Sequence, residues 1–228
     1  EFRRVLFRSV LTDLNPDTLE PVLAEVRALG VQAIGRALDL RQADQLTLWV
    51  SDLGRDCPTL SVLVNNAGRP SLSKPATQTR VEEWDDTLDV NLKGTFFLTT
   101  AFGQWLIDRQ RRGAVISLSS THGSVGLAGA SVYGISKAGI SQMTRMLAIE
   151  WAPYGIRVNA IAPGTTMTET RAPRLSQPAV GKAMLDRIPL GRFGSPEEMG
   201  QAVAYLASPQ ASFITGQVLH LDGGLTAY

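Results

Sequence analysis

The 228-residue chain has one cysteine, Cys57, and two histidines, His122 and His220. A lone thiol excludes an internal disulfide and every multi-cysteine metal site, and it suits a reducing cytosol. No His, Cys and carboxylate set stands at metal-ligand spacing, so no catalytic metal is expected. Excess charge is also missing: the net is +1, and the basic runs are only the pairs Arg3-Arg4 and Arg111-Arg112. That composition excludes a nucleic-acid footprint and a polybasic membrane patch. No apolar run reaches bilayer-spanning length, and with the reduced cysteine this leads to the expectation of a cytoplasmic protein. There is no Gly-x-Ser-x-Gly elbow, which removes the hydrolases that use one. Glycine is absent before Gly30.

What is present alternates between β-rich runs and helical segments, the pattern of a parallel sheet wrapped by helices. Ser9 to Asp13 reads as a strand. Asn15-Pro16 opens a helix that Gly30 closes, and Val31 to Ala37 is the next strand. A helix is expected over Arg41 to Arg55. Leu60 to Val64 is a short apolar run, as for a strand buried on both faces. A long helix follows from about Val81 to Arg109, then a strand at Ala114 to Leu118. A helix is expected from about Ser131 to Ala152 and a strand at Ile156 to Ile161. A Thr- and Pro-rich loop then runs to about Leu190. Ser195-Pro196-Glu197-Glu198 caps a further helix, and Gln217 to Leu221 is the last strand. No repeats or low-complexity tracts occur, so the length suits one α/β domain.

The most informative stretch is Tyr133-Gly-Ile-Ser-Lys137. Residues at i and i+4 share a helical face, so an ammonium placed there favours the phenolate of the tyrosine. A phenol left alone titrates near pH 10, and a fixed cation brings it toward use as an acid or base. Alone the pair is common on surface helices, but other residues converge on it. Ser119 and Ser120 end the strand before the Tyr helix, and strand carboxyl ends are where ligands bind in open α/β sheets. The small-residue turn Asn65-Asn66-Ala67-Gly68 leaves another strand at the same edge and lets a flat ligand approach the backbone. Asn91 sits inside a helix where Asn is a poor former, so it either bonds to backbone or lines a site. Pro163-Gly164 begins a turn at the same edge.

In this order, Asn65-Asn-Ala-Gly68, Asn91, Ser120, Tyr133-x-x-x-Lys137, Pro163-Gly164, Ile214-Thr-Gly216 and Asp222-Gly-Gly224 resemble the short-chain dehydrogenase/reductase family. The resemblance runs from about Val10 to the carboxyl end. Ser120 stands thirteen positions before Tyr133, the family's usual offset, which favours it over Ser119. It implies a Rossmann-like doubly wound parallel sheet and an NAD(P)-dependent oxidoreductase acting on a small alcohol or ketone. Tyr133 would be the acid/base and Lys137 would hold the nicotinamide ribose. Ser120 would bind the substrate oxygen, and Asn91 would hold a water linking Lys137 to solvent. Asn66, Ala67 and Gly68 would line the adenosine side, and Asp39 would meet the adenine. Pro163, Gly164, Thr166 and Thr168 would form the nicotinamide loop. Asp13 would meet the adenosine ribose, unless it is a helix cap. A carboxylate there repels a 2′-phosphate, so NAD(H) is expected over NADP(H).

The sequence departs from the family at its start. The family's glycine-rich turn, which carries the pyrophosphate at a helix amino end, has no counterpart. Gly123-x-x-Gly126-x-x-Gly129 lies between Ser120 and Tyr133 and does not replace it. Residues 1–8 read as an atypical leader, possibly foreign, and residues 9–228 as a domain lacking the family's first strand. The expected consequences are two exposed strand edges and weak dinucleotide binding. The alternative function is an inactive fragment. The substrate stays open between a 3-oxoacyl carrier and a sugar or polyol. Arg171, Arg174 and Lys182 would meet an anionic substrate or belong to a solvated lid. His122 would line the pocket or cap its loop. The apolar carboxyl-terminal half, including Ser195 to Tyr228, resembles the family's subunit-contact region, implying a homotetramer or homodimer.

Overall fold

The computed structural model describes residues 9–227; the expectation for residues 1–8 falls outside them. Strand β1 (Ser9–Asp13) pairs in parallel with β2 (Ala33–Ala37). Between them a 3₁₀ turn, Pro16–Leu19, leads into α1 (Glu20–Ala28). Asn15 caps that turn, its side-chain oxygen accepting the Asp17 N–H at 3.0 Å, and Gly30 leaves it with a positive φ of 80°. A short 3₁₀ turn precedes α2 (Leu46–Asp56), so this helix starts later than Arg41. Asp39 and Arg41 are instead engaged with each other, which keeps that stretch out of the helix.

The second sheet has the order β3 (Val62–Asn65), β4 (Gly113–Leu118), β5 (Ile156–Pro163), β6 (Val218–Leu221), all parallel. Between β3 and β4 run α3 (Val81–Leu88), a π-helical turn (Asp89–Gly94) and α4 (Thr95–Asp108) without a break. Helix α5 (Ser131–Trp151) joins β4 to β5. The segment expected as a plain loop up to Leu190 contains α6 (Ala172–Leu175) and α7 (Pro178–Leu185), each with proline in its first turn. Helix α8 (Pro196–Ala207) has the expected capping box between Ser195 and Glu198.

Alternate side chains of β4 and β5 build a core on each face of the second sheet. Val115 and Val158 pack with Phe102, Trp105, Ile140, Leu147 and Trp151 beneath α2, α4 and α5. Ala114, Ile116 and Ile161 pack with Leu206 beneath α8. This is a doubly wound α/β fold. Among the described residues no ladder joins β1 to β3. Val64 on β3 is accordingly 42% exposed, not buried on both faces as its apolar run suggests, because among the described residues β3 is paired on one side only. No helix among the described residues is long and apolar enough to cross a membrane.

Candidate active site

Parallel pairing puts the carboxyl ends of β3 to β6 at one edge, and the loops leaving it carry most of the residues singled out by sequence. Helix α5 places Lys137 one turn below Tyr133, with Nζ 5.7 Å from the centroid of the phenol ring. Lys137 is only 5% exposed. Its Nζ donates to the Leu118 carbonyl at the end of β4, at 2.7 Å. Burial lowers its pKa from the ordinary 10.5 to about 8.

The two serines ending β4 have separate tasks. Ser119 Oγ donates to the Lys137 carbonyl at 2.9 Å and lies 2.7 Å from Ser141 Oγ, pinning the strand end to α5. Ser120 Oγ accepts the His122 N–H at 3.2 Å. The turn after it sets the His122 ring edge-on to Tyr133, with centroids 5.9 Å apart. One ring nitrogen of His122, Nδ1, is buried without a partner. Burial, then the charges of Arg171 and Arg187, hold the His122 pKa below its ordinary 6.5.

Asn91 lies in the π-helical turn and is 1% exposed. Such turns recur at functional sites. Its Oδ1 accepts the Arg69 N–H at 2.6 Å, and its Nδ2 donates to the Arg69 carbonyl and to Ser136 Oγ. The side chain therefore ties the Asn66-Ala67-Gly68 turn to α5. Asn66, Ala67 and Gly68 are themselves exposed. A Cβ on Gly68 would lie 3.3 Å from Asn91 Oδ1 and 3.6 Å from Lys137 Nζ. Glycine thus leaves the Lys137–Asn91 pair uncovered by a side chain.

Gly164 donates its N–H to the Leu221 carbonyl at 3.0 Å, which fixes the turn after Pro163 beside β6. Thr166 is 8% exposed and its hydroxyl is buried without a partner, whereas Thr168 meets Thr170 at 3.2 Å. Asp13 and Asp39 stand apart: Asp13 ends β1, and Asp39 lies two residues past β2. Asp13 accepts the Asn15 N–H at 3.1 Å, while Asn15, not Asp13, caps the turn that follows. Asp39 is gripped by the Arg41 guanidinium, which lowers its pKa to about 2.

Sequence reasoning did not single out Ser136 or the Leu118 carbonyl. Ser136 Oγ donates to the Tyr133 carbonyl at 2.7 Å and accepts from Asn91. Its signal was a small hydroxyl three residues after Tyr133, at the spacing that bonds back along a helix. A main-chain carbonyl leaves no such mark in a sequence.

The family model described as "Enoyl-(Acyl carrier protein) reductase" matches residues 6–226. The chain is 38% identical to the 3-oxoacyl-[acyl-carrier-protein] reductase FabG of Thermotoga maritima over 93% of its length and 85% of that protein's. The chain belongs to the short-chain dehydrogenase/reductase family. An Agrobacterium tumefaciens structure with bound NADP is 34% identical, with a TM-score of 0.87, covering 97% of this chain and 87% of that one. A gluconate 5-dehydrogenase of Burkholderia cenocepacia, in complex with NADP and tartrate, is 28% identical with a TM-score of 0.89, covering 96% of this chain and 85% of that one. A short-chain dehydrogenase/reductase fold and an oxidoreductase of the NAD(P)-dependent kind follow.

The preference for NAD(H) over NADP(H) does not stand for this short-chain dehydrogenase/reductase. Two solved structures this similar hold NADP. Asp13, on which the preference rested, is an exposed carboxylate that accepts the Asn15 N–H.

Proposed function

We propose that this site reduces a ketone or oxidises an alcohol, with NADP(H) as the nicotinamide cofactor and Tyr133 as the acid/base. The observation that carries the reading is the buried Lys137 beside Tyr133, with the uncovered backbone of Gly68 over it. A bound nicotinamide would supply or accept the hydride. Lys137 has donors beyond the one given to Leu118, and these suit ribose hydroxyls. The unpartnered Thr166 hydroxyl, buried in the loop after β5, suits a carboxamide. Pro163, Gly164 and Thr168 shape that loop. Asn66, Ala67 and Gly68 offer an exposed, small-residue surface to the adenosine half, with Asp39 and Asp13 farther along it.

Tyr133 passes its proton to the substrate oxygen in reduction and takes it back in oxidation. Lys137 supplies the positive charge packed against that ring, and Ser120 donates to the same substrate oxygen as negative charge develops there. Asn91 positions the parts: it clamps the Arg69 backbone to Ser136 and so holds the glycine turn over Lys137. A relay through water would then run from Lys137 past Asn91. The protein works in the cytoplasm as a homotetramer or homodimer, its exposed Phe213 and Tyr205 near the carboxyl end suiting subunit contact. The FabG and gluconate dehydrogenase relatives support an oxoacyl or a sugar-acid substrate. Turnover of NADPH against a carbonyl panel, with Tyr133→Phe as control, tests the reading; an equally active variant refutes it.

A further inference from the structure

His122 touches both groups that would hold the reacting oxygen. Its backbone N–H donates to Ser120 Oγ at 3.2 Å, and its ring lies edge-on to Tyr133, centroids 5.9 Å apart. The 3₁₀ turn that carries it, Thr121–Gly123, is pressed onto α5 between two glycines. A Cβ on Gly123 would lie 2.8 Å from the Lys137 carbonyl carbon. One on Gly134 would lie 3.0 Å from the His122 carbonyl oxygen. A side chain at either position would push the turn off the helix, so glycine fixes the ring beside the phenol.

The ring has one polar edge to offer. Nδ1 is buried without a partner, and the other nitrogen, Nε2, lies on the open side of this half-buried residue. Burial, more than any neighbouring charge, keeps the ring neutral by holding its pKa below the ordinary 6.5. A neutral imidazole carries a single ring N–H, and buried N–H groups without an acceptor are rare. The proton therefore sits on Nε2, which becomes a donor beside the phenol. The backbone N–H, not the ring, makes the bond to Ser120, so this donor is left for a ligand.

Resting on the oxidoreductase reading above, we propose that His122 Nε2–H is a specificity contact for a second substrate oxygen, on the carbon next to the reacting one. The substrate class is then an α-hydroxy ketone and the vicinal diol to which it is reduced. Oxygens on neighbouring carbons lie about as far apart as two hydrogen-bonded atoms. With the carbonyl oxygen at the Tyr133 and Ser120 hydroxyls, its neighbour falls at the adjoining ring. A plain ketone leaves the Nε2–H unmet, and a site built around a donor discriminates against an analogue that lacks the partner.

Ring-nitrogen NMR of the full chain tests the contact without cofactor or turnover, since the chain has only two histidines. His220, whose Nε2 lies 2.9 Å from Ser124 Oγ on the same loop, reports whether that loop moves. The probes are hydroxyacetone and butan-2-one, which differ by a hydroxyl in place of a methyl. The His122 proton is expected on Nε2, and hydroxyacetone shifts that nitrogen in a saturable way while His220 stays still. Butan-2-one binds about ten-fold more weakly. In NADPH-dependent reduction, His122→Phe keeps a ring beside Tyr133 but lowers the hydroxyacetone to butan-2-one ratio of kcat/KM about ten-fold. His122→Gln, whose amide retains a donor, restores part of that ratio. A proton on Nδ1, an equal response to the two ketones, or no response to hydroxyacetone overturns the proposal. So does a joint shift of both histidines, or a ratio unmoved in His122→Phe. Failure of the oxidoreductase reading would show separately, as a native chain that binds hydroxyacetone at His122 yet oxidises no NADPH.

Discussion

Lys137 carries its charge where charge is unfavourable. Its pKa falls from 10.5 to about 8 through burial, so the folded protein binds fewer protons than the unfolded chain between those values. Stability therefore rises with pH through that window, and below about pH 8 the whole penalty stands. Lys137→Met is expected to raise the unfolding free energy near neutrality by about 2–3 kcal/mol, less what the orphaned Leu118 carbonyl takes back. The same change removes turnover. Chemical denaturation on both sides of the window checks it: an equal gain at high pH would contradict the assignment. The two serines give a contrasting pair. Ser119→Ala loses buried hydrogen bonds, so about 1 kcal/mol of stability goes while turnover stays. Ser120→Ala gives up one hydrogen bond, from the His122 N–H, and lowers turnover about a hundred-fold or more. At this scale the sequence marked Tyr133, Lys137 and Ser120, which the structure brings to one strand edge, because the proposed chemistry needs particular residue types at particular spacings. It did not show that Asn91 is clamped to the Arg69 backbone or that Arg41 grips Asp39, because both depend on where main-chain atoms and loops come to rest.

Elements here are governed by their ends and by close approaches. Helix α8 begins with a reciprocal Ser195–Glu198 cap, and Arg192 pairs with Glu198, holding its pKa near 2. Ser195→Ala is expected to lower the melting free energy by about 1 kcal/mol, read by thermal denaturation. The π-helical turn rests directly on the backbone of Leu40, next to Asp39, and a Cβ on Gly94 would collide with the Leu40 carbonyl. Gly94→Ala should therefore cost about 1–3 kcal/mol and displace the Asp39 loop. Strand cores and capped helices were legible because hydrophobic period and cap residues are local signals. Helices α6 and α7 were not, since each is short and lies among threonines, prolines and charges that read as loop. The exposure of Val64 was also hidden, because an apolar run does not say whether a strand has one neighbour or two.

At the scale of the whole molecule, two parallel sheets are held together by α2 against α4 and by the Leu40–Gly94 contact. Phe213, wholly exposed, and Tyr205 mark the surface proposed for subunit contact. Phe213→Glu is expected to shift the protein to a smaller assembly in analytical ultracentrifugation with the site intact; an unchanged sedimentation coefficient would count against that surface. The central claim remains the proton chemistry of one phenol. Its most direct test is single-turnover NADPH oxidation with a carbonyl panel at saturating cofactor, comparing the native chain with Tyr133→Phe. The expected result is turnover by the native chain and a loss of about a hundred- to ten-thousand-fold in the variant at unchanged NADPH affinity. Undiminished NADPH oxidation by Tyr133→Phe would contradict it, as would a native chain that binds NADPH yet reduces no carbonyl.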